Sequence, residues 1–236
     1  MNAEPSTPAH GASEDRILPL AGMRGMIASK MKESLASSAQ LTHIADCDQS
    51  ALIVAKARLS ERGIKASLED LLIDAVIATL RKHPALNATL EENQVRIKSS
   101  INVSCAIALP GDLLVAPTIL SADAMSLAER IAARRDLVER ARTNKLSVKE
   151  MTAGTFTISN IGLTRVRYFT PILNMPQVAI LGVGEASLRP WIVGGQLEAR
   201  PIMGLSLTFD HRAVNGAPAG AFLTDLCEAI EQFQVD

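Results

Sequence analysis

Apolar residues recur every four positions over residues 22–36, at Met23, Ile27, Met31 and Leu35, and predict an amphipathic helix. Residues 41–47 alternate weakly and predict a strand. Residues 49–62 predict a second helix, closed by Gly63. A third helix opens at Ser67-x-x-Asp70, a capping box, and carries Leu68, Leu71, Leu72, Ala75, Val76 and Leu80 up to Pro84. Residues 93–98, 101–108 and 113–119 are rich in Val, Ile, Leu and Ala and predict strands. The last two are joined by the turn Pro110-Gly111-Asp112. Ser126-x-x-Glu129 caps a helix running to about Arg142. Its charges, among them Arg130, Arg134, Arg140 and Asp136, predict a solvated face with neighbouring pairs. Ser147 with Glu150 caps a short helix before a strand at 154–159. Residues 178–183 predict another strand, ending in Gly182-Val183-Gly184. Residues 187–201 predict a hairpin or loop around Trp191 and Gly194-Gly195. A β-branched run at 202–208 precedes a last helix over 216–233, with Phe222, Leu226, Ile230 and Phe233 on one stripe.

Nothing in the middle of the 236 residues resembles a linker, so one domain is expected, over 17–236. Residues 1–16 are small, polar and Pro-bearing, and read as a disordered tail or linker remnant. Hydrophobic content is 47% and aromatic content 3%, so aliphatic residues must build the core or a large subunit interface. A net charge of −1 provides no field for nucleic acid or an anionic membrane. Cys47, Cys105 and Cys227 are far apart, without metal or redox spacing. They read as small buried apolar residues in a reducing compartment. The chain has no apolar run fit for a signal peptide or membrane span, and a cytoplasmic protein is expected.

Two stretches carry candidate chemistry. Phe209-Asp210-His211-Arg212-Ala213-Val214-Asn215-Gly216 follows a strand pattern and precedes a helical one. A histidine at that junction suits a general base, since imidazole titrates near neutrality and a loop can lift it from the core. It equally suits a packed histidine beside a turn-forming Asn-Gly pair. Gly182-Val183-Gly184 after a strand lacks the third glycine of a dinucleotide loop and the helix that would follow.

Asp210-His211-Arg212-x-x-Asn215-Gly216 resembles the active-site signature of the dihydrolipoamide acyltransferase (E2) catalytic domains of 2-oxoacid dehydrogenase complexes. Gly154-Thr155-Phe156-Thr157-Ile158-Ser159-Asn160-Ile161-Gly162 fits a second block of that family, and Phe169-Thr170-Pro171-Ile172-Leu173-Asn174 with Pro176-Gln177 a third. Weaker matches lie at Gly22-Met23-Arg24 and at 82–87, so the likeness covers roughly 17–233. The resemblance implies an α+β fold like that of chloramphenicol acetyltransferase: a two-layer sandwich, with a mixed β-sheet flanked by helices, assembled as a trimer.

It also implies acyl transfer between dihydrolipoamide and coenzyme A. His211 would be the general base and Ser159 the hydroxyl donor to the oxyanion, the two meeting across a subunit interface. Ser159 also reads as a strand-end hydroxyl bonded to nearby backbone. Asn215 stands where many members carry Asp. Asn cannot carry charge but can still hydrogen-bond and fix a loop, and its occurrence in acetyl-transferring members points to acetyl. Arg58, Ser67, Asn160 and Gly184 match positions that contact coenzyme A. Each has a plainer reading: a solvated arginine, an N-cap serine, a turn asparagine and a turn glycine. Leu120 stands where many members have Arg or Lys, and Leu109 near an acidic position of some, so cofactor contacts here are expected to differ in detail. Coenzyme A acts as a substrate, the lipoyl group comes from another domain or chain, and no metal is needed. Expected partners are other copies in a homotrimer, a lipoyl-bearing protein and dehydrogenase subunits. The short end after the last helix, without the apolar tail of members that build larger cores, predicts trimers that assemble no further. A stand-alone coenzyme A acyltransferase with another acceptor, and a non-catalytic core subunit, are the competing readings.

Overall fold

The computed structural model describes residues 15, 17–110 and 113–235. The expected tail at 1–16, apart from Asp15, and the turn residues Gly111 and Asp112 lie outside that description. Along the chain run α1 (Gly22–Ser37), β1 (Gln40–Asp48), α2 (Ser50–Glu61), α3 (Leu68–Lys82), β2 (Ala88–Glu91) and β3 (Gln94–Ile97). Next come β4 (Val103–Cys105), β5 (Ile107–Leu109), β6 (Leu113–Val115), β7 (Thr118–Ile119), α4 (Leu127–Arg142) and α5 (Val148–Thr152). The last elements are β8 (Phe156–Asn160), β9 (Ala179–Val193), β10 (Gln196–Asp210) and α6 (Gly216–Glu231).

Six strands make one mixed sheet in the order β1-β10-β9-β8-β4-β7. Strands β8 and β9, and β4 and β8, are parallel; the other neighbours are antiparallel. One face packs on helices: Leu205, Leu207 and Phe209 of β10 and Phe156 and Ile158 of β8 bury with Leu71, Val76 and Leu80 of α3 and Phe222, Leu226 and Ile230 of α6. Each of these side chains is at most 1% exposed, as a close-packed aliphatic core requires. The opposite face carries Gly182 and Gly204, and the segment 167–171 lies across it. The architecture is α+β, as expected.

The long hairpin is closed by a two-residue loop, with Val193 paired to Gln196. Gly194 and Gly195 both take positive φ, +57° and +83°, the conformation such a tight turn demands and that side chains resist. All three capping boxes form as predicted, at Ser67/Asp70, Ser126/Glu129 and Ser147/Glu150. The strand at 178–183 does not end at its glycines but runs on to Val193.

Five further expectations are corrected. The 101–108 strand breaks at Ala106, whose amide bonds to Ile158, and the 113–119 strand breaks before Pro117, which has no amide to donate. The freed pieces β5 and β6 form their own ribbon. In α1, Met23 and Leu35 are 43% and 55% exposed. Only Ile27 and Met31 of the stripe face the body; beside them Ser34 bonds to the Leu173 carbonyl and the exposed Lys30 to Asn174 Oδ1, each at 2.8 Å. The arginines of α4 are not all solvated: Arg134 bonds Asp70 and Glu69 of α3, and Arg130 reaches Asp74. Finally, Cys47 and Cys105 are buried, but Cys227 is only partly so. Among the described residues, no helix is long and apolar enough to cross a membrane, and no group of three or more His, Cys, Asp or Glu side chains could hold a metal ion.

Candidate active site

His211 stands on a turn fixed at both sides. Asp210 before it is 1% exposed and ends β10. Its carboxylate accepts from Arg212 Nε and Nη2 at 3.0 and 2.6 Å, and from the amides of Arg212 and Ala39 at 3.1 and 3.3 Å. Burial alone would raise the Asp210 carboxyl, but these bonds outweigh it and hold the group below the ordinary carboxylate range. The His211 amide donates to the Ala39 carbonyl at 2.8 Å, tying the turn to the start of β1. The His211 ring is exposed and lies tilted beside Phe209, 5.9 Å between centroids. His43 of β1 stands edge-on to the same phenyl ring at 5.0 Å. A Cβ on Gly216 would come within 4.0 Å of both imidazoles, so the first residue of α6 stands beside the two rings. Asn215 is exposed and caps α6 by backbone position, but its side chain makes no capping hydrogen bond. Within one chain, therefore, it does not fix the loop as the sequence suggests.

Ser159 lies near the end of β8, where successive side chains point to opposite faces of the sheet. Phe156 and Ile158 enter the helix-side core; Thr157 and Ser159 face the other way. There they border an apolar cavity of about 400 Å³, walled by Ile27, Met31, Phe169, Pro171 and Ile180. Thr157 is held in place by Gln177, to which its hydroxyl donates at 2.6 Å. The next residue, Asn160, opens on a separate cleft of about 200 Å³ with Gly162, Gly184, Leu52, Leu68 and Glu69. Two consecutive residues of one strand thus touch two different hollows. Burial raises the Glu69 carboxyl, and Arg134 opposes that shift.

The four residues matched to coenzyme A contacts separate here. Asn160 and Gly184 both line the smaller cleft. Ser67 adjoins it through Leu68, but its hydroxyl is fully engaged. It donates to Asp70 Oδ2 at 2.7 Å and accepts from the Asp70 amide at 3.1 Å and Arg134 Nη2 at 2.9 Å. Desolvation would lift Asp70, but Arg134 and Ser67 together keep it low. Arg58 is exposed near the end of α2 and does not line the cleft. Leu120 sits elsewhere, lining a different hollow with Met125 and Leu137.

Gly184 has a reason to be glycine that the sequence does not reveal. A Cβ there would fall 1.9 Å from the Arg167 carbonyl oxygen, and one on Gly204 would fall 2.0 Å from it. Both glycines make room for the chain's own crossing segment. Gly184→Ala is expected to destabilise the protein by about 1–3 kcal/mol through overpacking. A denaturant midpoint taken without ligand checks this, and an unchanged midpoint would refute it.

His211 and Ser159 do not meet within one chain. Ser159 registers with Gly182, Gly182 registers with Ser206, and His211 lies five residues beyond Ser206. At about 3.3 Å per residue and about 4.8 Å per strand, the two backbones are on the order of 19 Å apart. Side chains of this length cannot close that distance.

The sequence profile described as 2-oxoacid dehydrogenases acyltransferase (catalytic domain) matches residues 12–235. The dihydrolipoyllysine-residue acetyltransferase component of the acetoin cleaving system of Bacillus subtilis is 37% identical over 220 residues, 91% of this chain and 55% of that one. Others of similar identity are succinyltransferase components of 2-oxoglutarate dehydrogenase complexes. The chain spans about half the length of these curated relatives. Among solved structures, the Azotobacter vinelandii dihydrolipoamide acetyltransferase matches at TM-score 0.86 and 30% identity, covering 98% of each chain. That study concerned the role of one serine, one histidine and one asparagine in its catalytic mechanism. A chloramphenicol acetyltransferase matches at TM-score 0.55 and 17% identity over 86% of this chain and 94% of that one, which shows the fold alone. With the profile reaching from residue 12 to residue 235, the chain belongs to the 2-oxoacid dehydrogenase acyltransferase family, in its catalytic domain.

Proposed function

We propose that this protein transfers an acyl group, acetyl in the first instance, between dihydrolipoamide and coenzyme A, at sites completed between copies of the chain in a trimer. The observation that carries this reading is the placement of Ser159. Its hydroxyl borders the larger cavity while the adjacent Asn160 lines the smaller cleft, so two thiol substrates can approach one point from different sides. The intervals support it too. The serine, histidine and asparagine studied in the Azotobacter vinelandii enzyme are spaced as Ser159, His211 and Asn215 are here.

The chemistry then needs few parts. A thiol must lose its proton before attack, because the thiolate is the nucleophile. The neutral His211 imidazole takes that proton as sulfur bonds to the thioester carbonyl carbon. The carbonyl oxygen becomes an oxyanion and accepts from the Ser159 hydroxyl. Collapse breaks the original carbon–sulfur bond, and the imidazolium returns its proton to the leaving thiolate. The separation within one chain requires that His211 come from one copy and Ser159 from the next. Coenzyme A would lie along the cleft of Asn160 and Gly184, with Ser67 and Arg58 further out. A lipoyl-bearing domain would supply the other thiol, and dehydrogenase subunits would load it.

The test is thiol release with acetyl-coenzyme A and free dihydrolipoamide, run beside succinyl-coenzyme A. Faster turnover of the acetyl ester supports the full reading, and faster turnover of the succinyl ester removes the acetyl assignment alone. Transfer only to other acceptors would favour a stand-alone acyltransferase. No transfer to any thiol by a folded oligomer would favour a non-catalytic core subunit.

A further inference from the structure

Two cysteines far apart in sequence meet where β1 runs beside α6. Cys47 and Cys227 have no motif spacing. The strand and helix nevertheless lie alongside one another for most of their length. A Cβ on Gly220 would be 3.8 Å from the His43 ring, and the Asp48 amide donates to Glu231 Oε1 at 3.2 Å. Between those two contacts, the Cys47 thiol donates to the Cys227 carbonyl oxygen at 3.8 Å.

The two environments differ in a useful way. Cys47 is wholly buried. Cys227 is half-buried and lines an open cleft with His43, Thr224 and Glu228. Contact with Cys227, and then burial, pushes the Cys47 thiol far up. The same contact draws the Cys227 thiol down, against burial and the carboxylates of Glu231, Asp46 and Glu228. One thiol is therefore accessible, with a second behind it that no solvent-borne reagent reaches first.

We infer that Cys47 and Cys227 form a dithiol that small disulfides oxidise to an intrachain disulfide joining β1 to α6. The Cys227 thiolate attacks one sulfur of the small disulfide, forming a mixed disulfide and releasing one thiolate. Cys47 then loses its proton and attacks the Cys227 sulfur, which breaks the mixed bond and releases the second thiolate. Two protein thiols are oxidised, and one small disulfide is reduced to two thiols. The proposal is independent of the acyl-transfer reading, since it uses neither His211 nor Ser159. The bond would join the C-terminal ends of β1 and α6, the ends remote from the turn that carries His211.

The experiment treats the native full-length protein with glutathione disulfide, then denatures it, counts thiols and maps the peptides. Two of the three thiols should be lost, with Cys47 and Cys227 linked and no glutathione retained. Cys105 serves as the internal control, since it is buried on β4, four strands away from β1 in the sheet. Cys47→Ser should stop at one glutathione on Cys227, and Cys227→Ser should keep its thiols free. Wild-type protein that keeps all three thiols, or that accumulates glutathionylated Cys227 beside reduced Cys47, would overturn the inference.

Discussion

Replacing His211 by Ala is expected to lower the acyl-transfer rate by about 10²–10⁴-fold, the range for removing a positioned general base. The loss should fall on kcat, with the KM for coenzyme A little changed, because no part of the ring lines the cleft of Asn160 and Gly184. Folding should be largely unaffected. His211 is exposed, and the turn is held by the Asp210 carboxylate and the His211 main-chain amide, both of which the alanine variant retains. An unchanged thermal midpoint would establish that the variant is folded. Asn215→Asp is the matched control. Its side chain makes no capping bond, and Asp is as good an N-cap as Asn. That variant should keep substantial activity. Acyl transfer near the wild-type rate in His211→Ala would end the general-base assignment.

Local signals were legible in the sequence wherever a few neighbouring residues decide the outcome. Ser67 with Asp70 specifies a helix start because both partners lie within one turn. Gly194-Gly195 specifies a hairpin because the loop needs two positive φ angles. What failed depends on distant partners. The stripe Met23, Ile27, Met31, Leu35 describes a helix correctly, but only Ile27 and Met31 face the body, while Ser34, bonded to the Leu173 carbonyl, is its buried residue. Arg134 looks solvated until α3 brings Asp70 to it across 64 positions. Gly184 looks like any turn glycine until Arg167 is seen crossing it. The site follows the same rule. The motifs single out Ser159 and His211, and the resemblance implies that they meet across a subunit interface; strand register supplies the distance that keeps them apart within one chain. His43, packed on Phe209 beside Gly216, carried no signal at all, because a lone histidine in a weakly alternating strand looks like any other position.

That separation leads to the second large effect. Ser159→Ala should lower kcat by about 10²–10³-fold, the usual consequence of deleting an oxyanion donor. Ser159 borders the larger cavity and is only partly buried, so the fold should survive. Dissociating the two inactive variants, mixing them in equal amounts and letting them reassemble then separates two geometries. In a cyclic trimer each site draws its histidine from one copy and its serine from the next. A working site needs intact His211 on the first and intact Ser159 on the second, which random assembly supplies in about one quarter of sites. The mixture should therefore recover about one quarter of wild-type activity from two nearly inactive parents. If both groups served a site within one chain, every site would lack one of them, and mixing could give no more than the average of the parents. A mixture that stays at that average after subunit exchange has been demonstrated by mass would place the reaction inside the single chain, where the strand register leaves no room for it.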